Sequence, residues 1–384
     1  MTTPVEMPRA LQGKTLLVVG GAGFVGANLV AKLLAFNPKQ LWVVDNLLSS
    51  ERFNLPLDDR IHFVEASITE DAVLASLPED LAFVFHLATY HGNQSSIHNP
   101  LADHENNTLT TLKLLERLKR LPALEALVYA GAGCCVAEKT FDAACATEET
   151  EMVSLKGMDS PYALSKVFGE FYCNYYHRQH NVPAIRARFQ NVYGPGEVLG
   201  AGRWRGTPAT VWRNVVPTFI YKALTGQALP VENGGIATRD FIFVEDIVDG
   251  LIACALKGEP GEVYNLASGQ ETTILALAET INRLTQNVTP LAFEPARHWD
   301  RSGKRYGSTQ KAKDVLGFCA QVGLEAGLAR TIAWTQAHLG QIEQTMLKHT
   351  PFLGDSPIVS PARADLANPG LADGVLRSDV AILR

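Results

Sequence analysis

Cysteine and basic charge are both scarce in this chain of 384 residues. The six cysteines, at positions 134, 135, 145, 173, 254 and 319, form no CxxC pair, which is the spacing that would indicate a zinc or thiol-redox site. We therefore expect no metal and a reducing compartment, the cytoplasm. Lysine and arginine number 34 against 40 acidic residues, for a net charge of −6. Because the chain has no basic excess, nucleic acid is not an expected partner.

Long hydrophobic runs and the features of a leader are also missing. The longest apolar stretches have the length of a strand or are interrupted by polar residues, so none is predicted to span a bilayer and no membrane partner is expected. The first residues, Met1–Glu6, contain neither the basic nor the apolar region of a signal peptide, and we expect none. Apolar residues still make up 46% of the chain, which is sufficient for the core of two domains or of one domain with an added lobe.

A glycine-rich turn is the most informative feature that is present. Gly20, Gly23 and Gly26 follow an apolar run at 15–19 and open an amphipathic run at 24–36, in the order strand, turn and helix. In such a turn the first glycine permits the tight backbone, the second lets a pyrophosphate approach, and the third lets the helix pack on the strand. The helix N-terminus, with Phe24 and Val25, adds N–H groups and partial positive charge. The pattern predicts a dinucleotide site, and a glycine turn in an unrelated α/β protein is the alternative.

An acid at the end of the second apolar run indicates which dinucleotide binds. Asp45 directly follows the run at 41–44, and Asn46 comes next. A carboxylate at this place accepts hydrogen bonds from the adenosine ribose hydroxyls and repels a 2′-phosphate. The sequence therefore predicts NAD rather than NADP, with Asp45 and Asn46 in the cofactor site.

Strand-like and helix-like runs alternate from residue 15 to about 190. This alternation predicts an α/β fold, a Rossmann-type doubly wound parallel sheet with helices on both faces and a smaller C-terminal substrate-binding lobe. Strands are predicted near 15–19, 41–45, 61–65, 82–87, 125–130 and 183–189, and helices at 101–121 and 162–180.

The predicted domains follow from the change of composition after Gly194. Residues 1–190 are expected to form the NAD-binding domain, to which 240–267 return. Residues 191–239 and 268–345 form the substrate-binding lobe, and 346–384 form a C-terminal tail. Within the lobe we expect a loop at 196–208 and a helix at 211–224, and a strand is expected at 239–243, where the chain returns to the first domain.

Tyr162 and Lys166 form a candidate catalytic pair. They stand four residues apart behind Pro161, which suits the first position of a helix, so both side chains are expected on one helix face. A tyrosine with a pKa near ~10 is a weak base at neutral pH, but an adjacent ammonium favours the phenolate. The pair predicts a base for a hydroxyl proton. Both residues are also expected in the cofactor site, where Lys166 can hold the nicotinamide ribose. A half-buried tyrosine beside a solvated lysine is the alternative.

These motifs resemble those of the extended short-chain dehydrogenases/reductases that act on nucleotide sugars. Three further motifs match the family's HLA, NxYGP and RDF motifs in order, and the resemblance covers roughly residues 13–340. It implies a tightly bound, recycled NAD and an epimerase, dehydratase or decarboxylase activity. The three motifs are Phe85-His86-Leu87-Ala88, Asn191-Val192-Tyr193-Gly194-Pro195 and Arg239-Asp240-Phe241.

The resemblance also implies which residues contact the cofactor and the substrate. Ser67 stands where the family has an aspartate bonded to adenine, and a serine can still hydrogen-bond there. Asn107 matches an asparagine that steadies the family's central helix, and it is also predicted in the cofactor site. The remaining implied cofactor contacts are Ile68, Leu87 and Ala88, and the implied substrate contacts are Asn191, Arg239, Arg297 and Asp300.

Four other residues are candidates for the substrate. Arginine forks suit phosphate oxygens, so Arg203 and Arg205 are predicted near the substrate diphosphate, with surface charges as the alternative. Thr89 and His91 follow the HLA motif and are candidates for a contact to a sugar hydroxyl. His91 can equally be an ordinary loop histidine.

The sequence departs from the family after the fifth predicted strand. Gly133 stands where the family places a Ser or Thr whose hydroxyl bridges the tyrosine and the sugar oxygen. Cys134 and Cys135 replace the Asp-Glu pair of the 4,6-dehydratases, which argues against dehydration because that reaction needs an acid and a base. Cys135 falls where GDP-mannose 3,5-epimerase has a catalytic cysteine, so we name both cysteines as catalytic candidates. Small apolar fillers are the alternative.

The sequence therefore predicts an NAD-dependent nucleotide-sugar epimerase. We expect transient oxidation at C4 to a keto-sugar, followed by reduction. A 4,6-dehydratase or a uronate decarboxylase is the alternative reaction, and a non-catalytic NAD sensor or scaffold is the alternative from another class. The resemblance implies a homodimer formed through the helices predicted at 101–121 and 162–180.

Overall fold

Parallel strands that alternate with helices form the centre of the molecule. The structure is a computed structural model that describes residues 10–133, 141–142, 146–150, 158–297 and 303–353. Its strands are β1 (Thr15–Val19), β2 (Gln40–Asp45), β3 (Ile61–Glu65), β4 (Leu81–His86), β5 (Ala126–Ala132), β6 (Ala146–Thr147), β7 (Ala184–Phe189), β8 (Asn191–Tyr193), β9 (Pro230–Glu232), β10 (Thr238–Arg239), β11 (Phe241–Phe243), β12 (Val263–Leu266), β13 (Thr272–Thr273), β14 (Ala292–Glu294) and β15 (Tyr306–Gly307).

The helices flank these strands and supply the second layer of the core. A π-helical segment, His104–Leu109, joins two of them into one continuous run. The α-helices are Phe24–Leu34, Asp71–Ser76, Asn93–His98, Pro100–Asp103, Thr110–Leu118, Pro161–His180, Val215–Leu224, Val244–Lys257, Ile274–Thr285, Leu324–Ala337 and Leu339–Leu347.

Seven of the described strands form one parallel sheet, in the order β12-β7-β5-β4-β1-β2-β3. Residues of β1, β4 and β5 are buried throughout, because helices cover both faces of a parallel sheet. The predicted Rossmann-type fold is confirmed. The strand order reverses between β1 and β4, and ligands of such sheets bind at the carboxyl ends of the strands beside that reversal.

The second lobe surrounds a separate apolar cluster. Helices Val215–Leu224, Ile274–Thr285 and Leu324–Ala337 contribute buried residues such as Phe219, Ile281 and Leu328. Two-stranded pairings border the lobe, namely β8 with β11, β9 with β14 and β10 with β13. The return of β12 beside β7 connects this part of the chain to the main sheet.

Two local predictions are wrong in detail, each for a physical reason. The strand expected at 239–243 is interrupted at Asp240, whose buried carboxylate accepts hydrogen bonds from the backbone N–H groups of Ser268, Gly269 and Gly307. The helix expected at 211–224 begins only at Val215, because the backbone of Asn214 is extended, with φ −137° and ψ 156°. Within the described residues, no helix combines the length and the apolar content needed to cross a bilayer.

Candidate active site

A cavity of about 900 Å³ lies at the carboxyl ends of the strands, between the sheet and the second lobe. It is lined by residues of the glycine turn after β1, by Tyr162 and Lys166, and by Arg239 and Arg297. Cofactor and substrate candidates from distant parts of the sequence therefore share one space. Among the described residues, no group of three or more His, Cys, Asp or Glu side chains could hold a metal ion.

The glycine turn is closed on both sides by backbone. Gly20 has a φ of +84°, and a Cβ on it would lie 2.5 Å from the amide nitrogen of Ala88. A Cβ on Gly26 would collide with the carbonyl oxygen of Gly20 and would lie 2.7 Å from Cα of Gly21. Gly23 caps the helix Phe24–Leu34, and the cavity is lined by Gly23, Phe24, Val25 and Gly26. This cradle fits a dinucleotide pyrophosphate, which needs close backbone approach at a helix N-terminus.

Asp45 connects the cradle to the loop after β2. Its carboxylate accepts hydrogen bonds from the backbone N–H groups of Ala22 and Leu47, both at 2.9 Å, and from Oγ of Ser50 at 2.8 Å. Burial raises the pKa of Asp45, and these hydrogen bonds act in the opposite direction. Asp45 and Asn46 both line the cavity. The carboxylate therefore holds the loop in place while it faces the space predicted for the adenosine ribose.

Asp45→Asn is expected to reduce the preference for NAD over NADP. The amide keeps one acceptor oxygen for the loop but removes the negative charge that repels a 2′-phosphate. Binding of both dinucleotides is measured by calorimetry, and the ratio of the two affinities should fall by roughly tenfold or more. Ser50→Ala is the control, because it removes one loop hydrogen bond and leaves the charge. An unchanged ratio in Asp45→Asn would show that another group reads the ribose.

The helix Pro161–His180 positions the candidate catalytic pair. Ser160 caps it by accepting a hydrogen bond from the backbone N–H of Ala163 at 3.2 Å, and Pro161 occupies the first turn. Lys166 is only 5% exposed, so it is not the solvated lysine of the alternative interpretation. Its Nζ donates to the carbonyl oxygen of Ala130 at 3.0 Å and lies 6.0 Å from the centre of the Tyr162 ring. An ammonium held this close favours the phenolate form of a tyrosine.

Asn107 ties this helix to the segment after β4. Its Oδ1 accepts hydrogen bonds from the backbone N–H of Tyr90 at 2.6 Å and from Oγ1 of Thr89 at 3.0 Å. Its Nδ2 donates to Asp103 at 2.7 Å and to Oγ of Ser165 at 3.1 Å. Asn107 lies in the π-helical segment, a conformation that often marks functional sites. These contacts suit a positioning role.

His91 lies beside the candidate base. Its ring centroid is 6.3 Å from that of Tyr162, in an edge-on arrangement. Burial, together with the positive charges of Arg213, Arg205 and Lys166, lowers the pKa of His91 to about 3. The imidazole is therefore neutral at pH 7, so it can donate or accept a hydrogen bond but adds no charge.

The candidate substrate residues divide into two groups. The first group, which lines the cavity, includes Asn191, Arg239 and Arg297. Arg239 donates to the carbonyl oxygens of Thr238 and Gly303, at 2.6 and 2.9 Å. Arg297 forms an ion pair with Glu232. Thr89 also lines the cavity, as do the predicted cofactor residues Ser67, Ile68, Leu87 and Ala88.

Arg203 and Arg205 are placed differently. Arg203 is exposed and donates to the carbonyl oxygen of Asn46, whereas buried Arg205 donates to that of Leu48 at 3.4 Å. Both therefore contact the loop after β2, and neither is among the residues that line the cavity. Cys134, Cys135 and Asp300, and the tail beyond 353, lie outside the described residues.

Several polar residues that line the cavity were not among the predicted site residues, and they include Gln190, Glu197 and Arg213. Arg213 donates to the carbonyl oxygens of Ser49 and Ala201 at 3.0 and 2.9 Å. Burial raises the pKa of Glu197 to about 7, and Asn214 donates a hydrogen bond to it. The available signal was position, since Gln190 directly precedes the NxYGP motif and Glu197 and Arg213 follow it.

Comparison with known proteins identifies the family. Residues 16–267 match the model of the NAD dependent epimerase/dehydratase family. The chain belongs to this family. A crystal structure of the Bordetella bronchiseptica enzyme WbmF in complex with NAD+ and UDP is 60% identical, with a TM-score of 0.83, and the match covers 91% of this chain and 100% of that chain.

Two curated relatives have different activities. The UDP-glucose 4-epimerase of Mycolicibacterium smegmatis is 32% identical over 321 residues, which are 82% of this chain and 96% of that protein. UDP-glucuronic acid decarboxylase 6 of Arabidopsis thaliana is 29% identical over 341 residues, 85% of this chain and 92% of that protein. Family membership confirms NAD as the cofactor, as the glycine cradle and Asp45 predicted. The exact reaction is not fixed by these relatives.

Proposed function

We propose that this chain is a UDP-sugar epimerase that oxidises its substrate at C4 and reduces it again. The observation that carries the proposal is that Tyr162 and buried Lys166 line the same cavity as the glycine cradle and the two arginines Arg239 and Arg297. A base in this cavity is suited to act on the sugar of a nucleotide sugar, because the cofactor and the diphosphate are proposed to bind in the same cavity.

The chemistry requires that one proton and one hydride leave the same carbinol. When bound, NAD accepts the hydride from the sugar carbon and later returns it. The Tyr162 phenolate takes the hydroxyl proton as the C–O bond becomes a carbonyl, and gives it back when the carbonyl is reduced. Lys166 supports the phenolate by its charge. If the keto-sugar rotates before it is reduced, the hydrogen would return to its opposite face and that carbon would be inverted.

UDP is the proposed nucleotide because of two related proteins and the two arginines that line the cavity. WbmF was crystallised with UDP, and the mycobacterial relative is a UDP-glucose 4-epimerase. Arg239 and Arg297 offer planar guanidinium groups suited to a diphosphate. Free buried thiols at Cys173 and Cys254 fit a reducing compartment, and a cytoplasmic location stays part of the proposal.

Decarboxylation of a UDP-uronate is the second candidate, favoured by the similarity to the Arabidopsis decarboxylase. Both reactions begin with the same oxidation at C4 and differ in what happens to the keto-sugar. A 4,6-dehydratase is less favoured, because Cys134-Cys135 replaces the acid and base that it uses.

The NAD-loaded protein should be incubated with UDP-, dTDP-, GDP- and CDP-sugars, with analysis of the products. We expect a UDP-hexose or UDP-uronate to be converted to its C4 epimer without uptake of solvent deuterium, because the carbon-bound hydrogen returns. Carbon dioxide release would establish the decarboxylase instead. Deuterium at C3 or C5, lost in Cys135→Ala, would assign epimerisation next to the ketone. No conversion of any sugar would favour the non-catalytic sensor.

We further propose a homodimer through one face of the helix Pro161–His180. Leu164, Phe168 and Phe171 point outward from it and are 41%, 47% and 56% exposed. Leu101, in the helix Pro100–Asp103 of the second segment predicted to form the dimer, is 75% exposed. Leu164, Phe168 and Phe171 form the apolar helix face. Large apolar side chains at helical spacing on a surface favour burial against a second copy.

Phe168→Glu is expected to convert the dimer to a monomer. A carboxylate in the middle of the apolar helix face would have to be buried unpaired in a two-fold interface. Sedimentation velocity measures the mass at several protein concentrations. Val288→Glu is the matched control, because Val288 is 95% exposed and lies elsewhere. A Phe168→Glu variant that sediments like the wild type would exclude this face as the interface.

A further inference from the structure

Gln190 and Gly133 are neighbours at the ends of two adjacent strands. Phe189 of β7 pairs with Ala132 of β5, so the next residue on each strand, Gln190 and Gly133, meets the other where the sheet opens into the cavity. Gln190 lines that cavity together with Tyr162 and Lys166.

The Gln190 side chain occupies the volume that a side chain at position 133 would need. A Cβ on Gly133 would lie 2.9 Å from Cδ of Gln190 and closer still to Nε2. On the other side, a Cβ on Gly307 would lie 2.8 Å from the same Nε2. Both distances are shorter than real Cβ contacts. Two glycines therefore make the space in which this amide lies.

This space is next to the candidate base. Tyr162 packs against the apolar cluster of Ala132, Ala163 and Val167, and Ala132 directly precedes Gly133. The amide therefore lies at the strand end on which Tyr162 packs. At the same strand end, the resemblance implies a Ser or Thr hydroxyl in other members, and this chain has no side chain there.

We propose that the Gln190 carboxamide hydrogen-bonds the oxygen of the reacting sugar carbon, in place of a hydroxyl at position 133. The inference rests on the proposed function. An amide offers both N–H donors and a carbonyl acceptor. The N–H groups donate to the sugar oxygen as it becomes a carbonyl, and the amide neither gains nor loses a proton. The hydroxyl proton therefore passes directly between the sugar and Tyr162, without a hydroxyl between them.

The first test compares Gln190→Met with the wild type. Methionine keeps the approximate volume and removes the donor and the acceptor. We expect kcat to fall by about 10²-fold, the usual effect of losing one preorganised donor to a reacting oxygen. UDP and NAD affinities should stay unchanged. Near-normal kcat in Gln190→Met would overturn the proposal, because space filling alone would then explain the glutamine.

The second test is rescue by the hydroxyl. Gly133→Ser alone should lose activity, since its Cβ collides with the amide. In Gln190→Ala the space is open, so adding Gly133→Ser should recover at least tenfold of the lost kcat. Recovery stays partial because the carbonyl oxygen of Phe189 lies 3.1 Å from the new Cβ. The same serine in Gln190→Met should recover nothing, because the methionine fills the space. Equal recovery in both backgrounds would contradict the steric argument.

A binding measurement separates this inference from the proposed function. UDP, UDP-glucose, UDP-galactose and UDP-glucuronate are titrated into wild type and Gln190→Ala by calorimetry. We expect Gln190→Ala to weaken the binding of at least one UDP-sugar by roughly five- to tenfold and to leave the affinity for UDP unchanged. Wild-type protein that converts no sugar would refute the proposed function alone. If the binding of no UDP-sugar is weakened relative to that of UDP, the role of Gln190 is refuted, whatever the turnover.

Discussion

Tyr162→Phe is expected to lower turnover by about 10²–10⁴-fold, the usual contribution of a general acid or base. The change removes one phenolic oxygen and keeps the ring, which continues to pack against Ala132, Ala163 and Val167. Lys166 keeps its hydrogen bond to the carbonyl oxygen of Ala130. Binding of NAD and of UDP should therefore stay nearly unchanged, so the loss appears in kcat and not in affinity.

Tyr175→Phe is the matched control for this variant. It makes the same chemical change on the same helix, at a residue that is 53% exposed, and should keep wild-type turnover. Both variants are assayed by product formation from the sugar found active, with affinities measured separately. If Tyr162→Phe turns over within a few-fold of the wild type, the base is another group, and neutral His91 beside the ring is the first to examine.

The sequence was sufficient for the fold and for NAD as the cofactor, because both predictions depend on local patterns. A strand, a glycine turn and a helix are adjacent in the chain. The steric demand on Gly26 arises within a few residues, and that on Gly20 comes from Leu87 and Ala88, just after β4. The same holds for Tyr162 and Lys166, whose spacing on one helix fixes their common face.

The remaining features depend on contacts between distant segments. Asp240 interrupts its strand because Ser268, Gly269 and Gly307 direct N–H groups at it. Arg203 turns to the carbonyl oxygen of Asn46, a choice that a charge pattern cannot reveal. Gln190 becomes a neighbour of Gly133 only through the register of β5 and β7. A single sequence shows the missing hydroxyl at Gly133 but does not show what fills its place.

Gly26→Ala is expected to destabilise the protein and to weaken NAD binding together. A methyl group at this position would collide with the carbonyl oxygen of Gly20 and approach Cα of Gly21 to 2.7 Å and the carbonyl carbon of Gly20 to 3.0 Å. All three neighbours are backbone atoms, so no side chain can move aside. The helix Phe24–Leu34 must shift away from the turn, at a cost of about 3 kcal/mol or more.

The shift should affect the cofactor because the same backbone forms the pyrophosphate cradle. We expect a lower melting temperature for the NAD-free protein and at least roughly tenfold weaker NAD binding, measured by scanning calorimetry and titration. Gly340→Ala is the matched control: it lies in the helix Leu339–Leu347 and a Cβ there meets no atom within 4 Å. That change should be neutral or stabilising by about 0.5–1 kcal/mol. A Gly26→Ala variant that melts like the Gly340→Ala control and binds NAD normally would show that the turn has room for a side chain, contrary to the geometry described.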